Sequence, residues 1–129
     1  MWLADLTAGQ RRALLGLAHN VVVSDGLLDP NEERMLADFK REMGLAPNTE
    51  TDYVEMAGIE SVFDTSRSRR IALINLIHLS YADGALDIEE ECLLRELAEA
   101  FEVPAAEFAL LDNWVKRLLA LEQEAQALF

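Results

Sequence analysis

Apolar residues recur along this chain with the spacing of one face of an α-helix. The first stripe consists of Leu14, Leu17, Ala18 and Val21, and a second consists of Met35, Leu36, Phe39 and Met43. Both follow the three-and-four-residue spacing of an amphipathic helix. No segment alternates apolar and polar residues with the period of two expected of strands. The pattern therefore predicts an all-α protein that folds as a compact helical bundle.

Capping and breaking residues set the expected ends of the helices. Thr7 can cap a first helix, which we expect to stop before Gly26. A second helix should open after Asp29 and end at Gly44, because glycine readily takes the left-handed conformation that terminates helices.

Further along, the connector 46–68 should contain a short helix around Asp52–Ala57 and a cap within 64–68. The segment 69–82 is apolar nearly all round, so its helix should lie at the centre of the bundle. A helix from Ile88 to about Glu102 should follow. A final helix, with Pro104 as its first residue, should run to about Gln126.

An acidic segment occurs twice in the sequence. Ser24–Glu33 returns as Ala82–Glu91, 58 residues later. Aligning 11–45 with 69–103 matches ten identical residues, among them both Asp-Gly pairs, and many of the other aligned positions keep apolar character. The alignment indicates internal duplication of a helix–acidic turn–helix unit within one domain, 1–129, completed by a final helix over about 104–126.

The net charge of the chain excludes some classes of binding partner. With a net charge of −13 the chain should repel nucleic acid and anionic membrane surfaces, which leaves cations and basic partners. No apolar run reaches the length of a membrane span and no signal peptide opens the chain, so we expect a cytoplasmic protein without direct membrane insertion. Cys92, the single cysteine, fits a reducing compartment and is expected to be a buried, inert thiol.

Helix capping explains part of each acidic turn. Gly26 and Gly84 can end one helix, and Asp29 and Asp87 can cap the next. Three residues further on, the glutamates at 32 and 90 complete a capping-box pattern and favour the positive end of the helix dipole.

Capping does not require Asp25 and Asp83 before the glycines, nor Glu33 and Glu91 after the box. Carboxylates at this density repel one another unless solvent, basic side chains or a cation offsets their charge, and hard oxygen ligands suit Ca²⁺ or Mg²⁺ better than Zn²⁺. The turns match only the second half of an EF-hand loop, because Val21 and Val23 stand where the first ligands belong. A different carboxylate site is therefore the interpretation to test.

The two Asp-Gly turns resemble those of the TerB-like family associated with tellurite resistance. The best match is the run Leu79-Ser80-Tyr81-Ala82-Asp83-Gly84 with Glu90-Glu91 and Leu94, and the resemblance covers about 8–128. The N-terminal domain of a membrane-anchored DnaJ-type co-chaperone has a similar layout, but the chain carries no His-Pro-Asp signature of a J-domain. The resemblance implies an all-helical duplicated bundle without an established reaction. It also implies a set of candidate divalent-cation ligands: Asp25, Asp29, Glu32, Glu33, Asp83, Asp87, Glu90 and Glu91.

Other polar residues carry weaker signals. His19 and His78 lack partners at metal-binding spacing, so we expect core or boundary histidines. The cluster Arg67, Arg69 and Arg70 should pair with nearby acids or dock a carboxylate partner. No nucleophile elbow or phosphate-binding glycine loop is present, which favours a protein that is not an enzyme.

Two functions remain open. The first is a stress-response module that binds a divalent cation or a basic partner through its acidic turns. The second is a structural interaction module without metal, which uses an apolar face of the final helix (Leu110, Trp114 and Leu121) to bind a protein partner or a second copy of itself.

Overall fold

The computed structural model describes residues 1–23, 30–51, 53–82 and 88–129. Within these ranges a short 3-10 helix, Leu3–Asp5, precedes six α-helices. They are α1 (Ala8–Val22), α2 (Pro30–Glu42), α3 (Ile59–Val62), α4 (Ser66–Ala82), α5 (Ile88–Ala100) and α6 (Ala105–Leu128). None of the described residues forms a β-strand, so the predicted all-α class is confirmed. The turns predicted at Gly26 and Gly84 and the caps predicted at Asp29 and Asp87 fall on residues outside the described ranges.

The helix starts repeat in the register of the sequence duplication. Thr7 caps α1 through a capping box, in which its Oγ1 accepts from the Gln10 N–H (3.1 Å) and Gln10 Oε1 accepts from the Thr7 N–H (2.9 Å). At α4, Thr65 Oγ1 accepts from the Ser68 N–H at 3.0 Å and Ser68 Oγ accepts from the Thr65 N–H at 3.2 Å. Because Thr65 lies 58 residues after Thr7, the structural repeat begins before the aligned segment.

The ends of α2 and α5 also correspond. The N–H groups of Gly44 and Leu45 donate to carbonyls three and five residues back, at 3.1 and 2.9 Å, and Gly44 has φ +70°. This pair of bonds is the Schellman motif. In the second copy Glu102 and Val103 make the same two bonds at 3.0 and 2.9 Å, and Glu102 has φ +59°. A glutamate thus stands where the first copy has glycine.

The predicted helix over 52–57 is wrong. Residues 53–57 are not helical, Asp52 lies outside the described residues, and the helical turn is Ile59–Val62 instead. Ile59 and Phe63, four residues apart, are both completely enclosed by the core. One helical turn at this position buries both side chains, with α3 packed on α1. Gly58, with φ +80°, turns the chain into it.

Three helix ends need smaller corrections. Helix α4 starts three residues before Arg69, because the cap is Thr65. Helix α5 ends two residues before Glu102. Pro104 is the N-cap of α6 in extended conformation (φ −60°, ψ 150°), not its first helical residue.

Helix α4 lies at the centre of the bundle, as its apolar sequence predicts. It packs against α1, α5 and α6, while α1 also contacts α2 and α5. The core side chains of the two copies occupy aligned positions, as Leu36 and Leu94 show. The described helices on either side of the two acidic segments therefore correspond in the two copies.

The predicted burial of Cys92 is wrong, since its side chain is exposed. Cys92 precedes the buried Leu94 by two residues, which places it roughly 160° around α5 from the core stripe.

A separate result concerns the membrane: no helix in the described ranges combines the length and the apolar character needed to cross one.

Candidate functional site

The structure describes half of the candidate ligand set. Asp25, Asp29, Asp83 and Asp87 lie outside the described residues, while the four glutamates lie in the first turns of α2 and α5. Within the described ranges, no three acidic, histidine or cysteine side chains come close enough to share a metal ion. The set implied by the resemblance therefore depends on the four aspartates.

Glu32 and Glu90 occupy the same environment in the two copies. Each is the third residue of its helix, and each is buried, with 4% and 7% of its surface exposed. The carboxylate oxygen Oε2 of each is inaccessible to solvent. Burying a carboxylate costs free energy unless hydrogen bonds or opposite charge compensate it. Both copies of the duplicated unit thus carry a buried acid at the third position of the helix.

The glutamates that follow differ between the copies. Glu91 Oε1 accepts from Nε and Nη2 of Arg95, at 3.1 and 3.0 Å, one turn later on α5. Glu33 is exposed, and the position equivalent to Arg95 is Ala37. The two sites are therefore alike at their buried glutamates and unlike at the glutamates that follow them.

A polar cluster ties the end of α4, next to the second turn, to α6. The Tyr81 hydroxyl donates to Asp112 Oδ1 at 2.7 Å, and Asp112 Oδ2 pairs with Lys116 Nζ at 3.0 Å. Burial raises the pKa of the Tyr81 phenol, and the hydrogen bond to Asp112 raises it further. The hydrogen bond to Asp112 also raises the pKa of Lys116. Sequence reasoning missed this cluster, although the four-residue spacing of Asp112 and Lys116 was a signal.

Both histidines lie at the boundary of the core, as predicted. His19 and His78 are partly buried. His78 lines a groove between α2 and α4, and His19 lines a smaller depression near Tyr53.

The basic cluster pairs with acids only in part. Arg67 forms an ion pair with Asp5 at 2.6 Å, and Arg70 forms one with Glu107 of α6. These two pairs confirm the expectation for Arg67 and Arg70.

The expectation is wrong for Arg69, which binds backbone. Its guanidinium donates to the carbonyls of Phe63 (2.7 Å), Glu60 (2.9 Å) and Phe101 (3.2 Å). Arg69 thereby joins α3, the start of α4 and the end of α5. The equivalent Arg11 donates to Leu3 O at 3.1 Å in the same manner.

The apolar faces of α6 are covered unequally. Phe108 and Val115 are buried, and the Trp114 ring is partly buried with its centroid 5.9 Å from that of Trp2. Leu110 and Leu121 are 68% and 61% exposed. The apolar face formed by Leu110, Trp114 and Leu121 is thus only partly buried in the core.

One family model matches the chain. It is that of the tellurite resistance protein TerB, and it covers residues 48–113, which include α3, α4, the second acidic segment, α5 and the start of α6. No curated protein and no solved structure matched. The kinship with a DnaJ-type co-chaperone domain stays a prediction. The matched segment covers just over half of the sequence, and the chain belongs to the TerB family.

Proposed function

We propose that this TerB-family domain is a non-catalytic stress-response module of the bacterial cytoplasm that binds a divalent cation, Ca²⁺ or Mg²⁺, at each acidic turn. The observation that carries the proposal is the paired burial of Glu32 and Glu90 at the same helical position. The candidate ligands at the first turn are Asp25, Asp29, Glu32 and Glu33, and at the second Asp83, Asp87, Glu90 and Glu91.

Charge supports this proposal. Residues 24–33 contain four carboxylates and residues 82–91 contain five, and neither segment contains lysine or arginine. The positive ends of the α2 and α5 dipoles offset part of this charge. A divalent cation would offset more and would bring carboxylates together that otherwise repel one another.

We propose that cation binding stabilises the packing of the helix pairs that the acidic turns connect. Each acidic turn joins two helices, α1 to α2 and α4 to α5. Cation binding would stabilise both pairs and thereby alter the surface offered to a partner. In the second copy the Tyr81–Asp112 bond would pass part of this effect to α6.

Thermal unfolding at constant ionic strength tests the proposal. A ligand that binds only the folded state stabilises it by RT ln(1 + [L]/Kd), about 2.7 kcal/mol at a hundredfold excess over Kd. We expect Ca²⁺ or Mg²⁺ to raise the Tm above that of the chelator-treated protein. Equal Tm values with Ca²⁺, Mg²⁺ and chelator would contradict cation binding.

The chain offers a matched pair of variants for this test. Glu89 and Glu90 are neighbours in the first turn of α5, but Glu89 is exposed and aligns with Asn31. Glu90→Gln should reduce the cation-dependent Tm shift, whereas Glu89→Gln should preserve it. If Glu90→Gln does not fold, the exposed Glu33→Gln replaces it, with Glu99→Gln as the control. Equal shifts in variant and control would assign the effect to general charge.

A second candidate function is self-association through α6. Leu110, Leu121 and Leu128 are exposed and lie within roughly 20° of one another around the helix, which makes an apolar stripe interrupted by Arg117 and Glu124. Two copies could pair along it without metal. Because each copy carries −13 charges, such pairing should strengthen as salt is added.

Sedimentation of the wild type and of Leu110→Glu/Leu121→Glu at low and high salt tests this alternative. A dimer that appears at high salt and disappears in the variant would support it. A monomer under both conditions would contradict it.

A further inference from the structure

A groove of about 630 Å³ lies apart from the glutamates of the acidic turns. Its walls come from four parts of the chain: the N-terminal segment, α2, α4 and the far end of α6. This size is in the range of sites that accept a drug-sized ligand or a few side chains of a peptide.

The floor of the groove is apolar. Leu3, Phe39 and Leu79 belong to the buried core and show one surface to the groove. Met35 is partly buried beside them, and Trp2 is 50% exposed at the edge. An apolar side chain entering here would displace water from a surface that no described side chain covers fully.

The rim of the groove is acidic. Asp38, Glu42 and Glu122 line it and are exposed, and Asp38 forms an ion pair with Arg41. The positive and titratable groups among the lining residues are the Met1 amino group, which donates to Asn75 Oδ1 at 3.1 Å, and His78.

The lining therefore carries three carboxylates, one of them paired with Arg41, against one ammonium group. Charge complementarity across an interface selects partners and speeds their association. Acidic peptides and nucleic acid would be repelled by this rim, and the chain as a whole, with 24 acidic and 11 basic residues, offers a second copy little complementary charge.

We propose that this groove binds a basic peptide segment of a partner protein, with one apolar side chain on the floor and flanking lysine or arginine side chains at Glu42 and Glu122. Peptide segments are commonly recognised in this way, by an apolar anchor in a groove and charged neighbours that set the specificity. None of the described candidate cation ligands lines the groove, so peptide binding can be tested in chelator.

The probe is a synthetic peptide of alternating leucine and lysine blocks. Its comparison peptides replace lysine by glutamate or leucine by serine. Calorimetry gives the affinity. Trp2 lines the groove, so tryptophan fluorescence reports occupancy once the signal of Trp114 is removed in Trp114→Phe. We expect binding of the Leu/Lys peptide alone. Equal affinity for the Leu/Glu or the Ser/Lys peptide would overturn the proposal.

A double variant separates the groove from the general negative charge of the protein. Glu42→Gln/Glu122→Gln should weaken binding of the Leu/Lys peptide about tenfold, because two contacting charges are lost. Glu50→Gln/Glu99→Gln removes the same charge from exposed positions elsewhere and should leave the affinity within about twofold. All four side chains are exposed, so folding should be unaffected.

Equal loss of affinity in the two double variants would show binding to overall charge and would overturn the proposal. So would self-association of the free protein that changes the Trp2 signal with concentration, because the occupant would then be a second copy.

Discussion

Glu102 occupies a backbone conformation that its first-copy counterpart, Gly44, adopts without strain. Both residues have positive φ, +59° and +70°, and both donate the same bonds at the end of a helix. An L-residue in the left-handed region pays roughly 1–2 kcal/mol, whereas glycine does not. The two copies therefore share the bend, but only the first has the residue that suits it.

We expect Glu102→Gly to stabilise the protein by roughly 0.5 to 1 kcal/mol, since relief of strain exceeds the added entropy of the unfolded chain. Urea unfolding measures the change. Gly44→Ala is the reciprocal control, because an added Cβ would meet no atom within 4 Å and only the φ of +70° opposes it. It should destabilise by about 1 kcal/mol. An unchanged or lower stability of Glu102→Gly would contradict the strain.

Arg69 is the second residue whose contacts predict a measurable effect. Its removal leaves three backbone carbonyls without their charged donor. We expect Arg69→Met to lower the free energy of unfolding by about 3 kcal/mol. Arg67→Met removes only the exposed ion pair with Asp5 and should cost about 1 kcal/mol or less. Similar losses in the two variants, measured by urea unfolding, would refute the role assigned to Arg69.

At the scale of elements, one hydrogen bond between α4 and α6, from Tyr81 to Asp112, depends on the protonation state of the phenol. The pKa of the phenol is raised above its usual value of 10.0, first by burial and then by the bond to Asp112. The folded state therefore holds this proton more tightly than the unfolded state. The resulting stabilisation is complete below pH 10.0 and is lost as pH rises through the folded-state pKa. The pKa of Lys116 is raised above 10.5, so its contribution to stability is likewise lost as pH rises.

We expect the Tm to fall above pH 10.0 and to fall less steeply in Tyr81→Phe. Thermal melts across the alkaline range measure the slopes. Tyr53 is largely exposed, so Tyr53→Phe should keep the wild-type slope. A Tyr81→Phe slope equal to that of Tyr53→Phe would contradict the coupling.

The elements that the sequence predicted well are those whose ends are determined by residues close together in the chain. The caps at Thr7 and Gly44 depend on side chains and φ angles within a few residues. Helix α3 could not be placed in this way, because its position follows from burying Ile59 and Phe63 against α1. The acceptors of Arg69 could not be predicted either, because they depend on packing: Phe101 O comes from the far end of α5.

The candidate site likewise has features that local sequence predicts and features that depend on how the helices pack. Spacing after Asp29 and Asp87, the predicted caps, placed Glu32 and Glu90 at the third helical position, and the structure confirms that position. Their burial depends on how the helices pack and could not be read from spacing. The groove likewise joins residues as distant as Met1 and Asn75, which only the fold brings together.

For the whole molecule, a net charge of −13 makes self-repulsion a cost of folding. Monovalent salt screens that repulsion. We expect the Tm to rise with NaCl in the presence of chelator, as thermal melts over a salt series would show. A Tm that falls or stays constant would mean that attractive ion pairs, such as that of Arg70 and Glu107, dominate the balance.

Calorimetric titration of Ca²⁺, and then of Mg²⁺, into chelator-treated protein at fixed ionic strength tests the central proposal most directly. Because the acidic turn occurs twice, we predict saturable binding of two cations per chain, reduced to one in Glu90→Gln and unchanged in Glu89→Gln. The absence of saturable binding of either cation to the wild-type protein would contradict the proposal that the duplicated turns are cation sites.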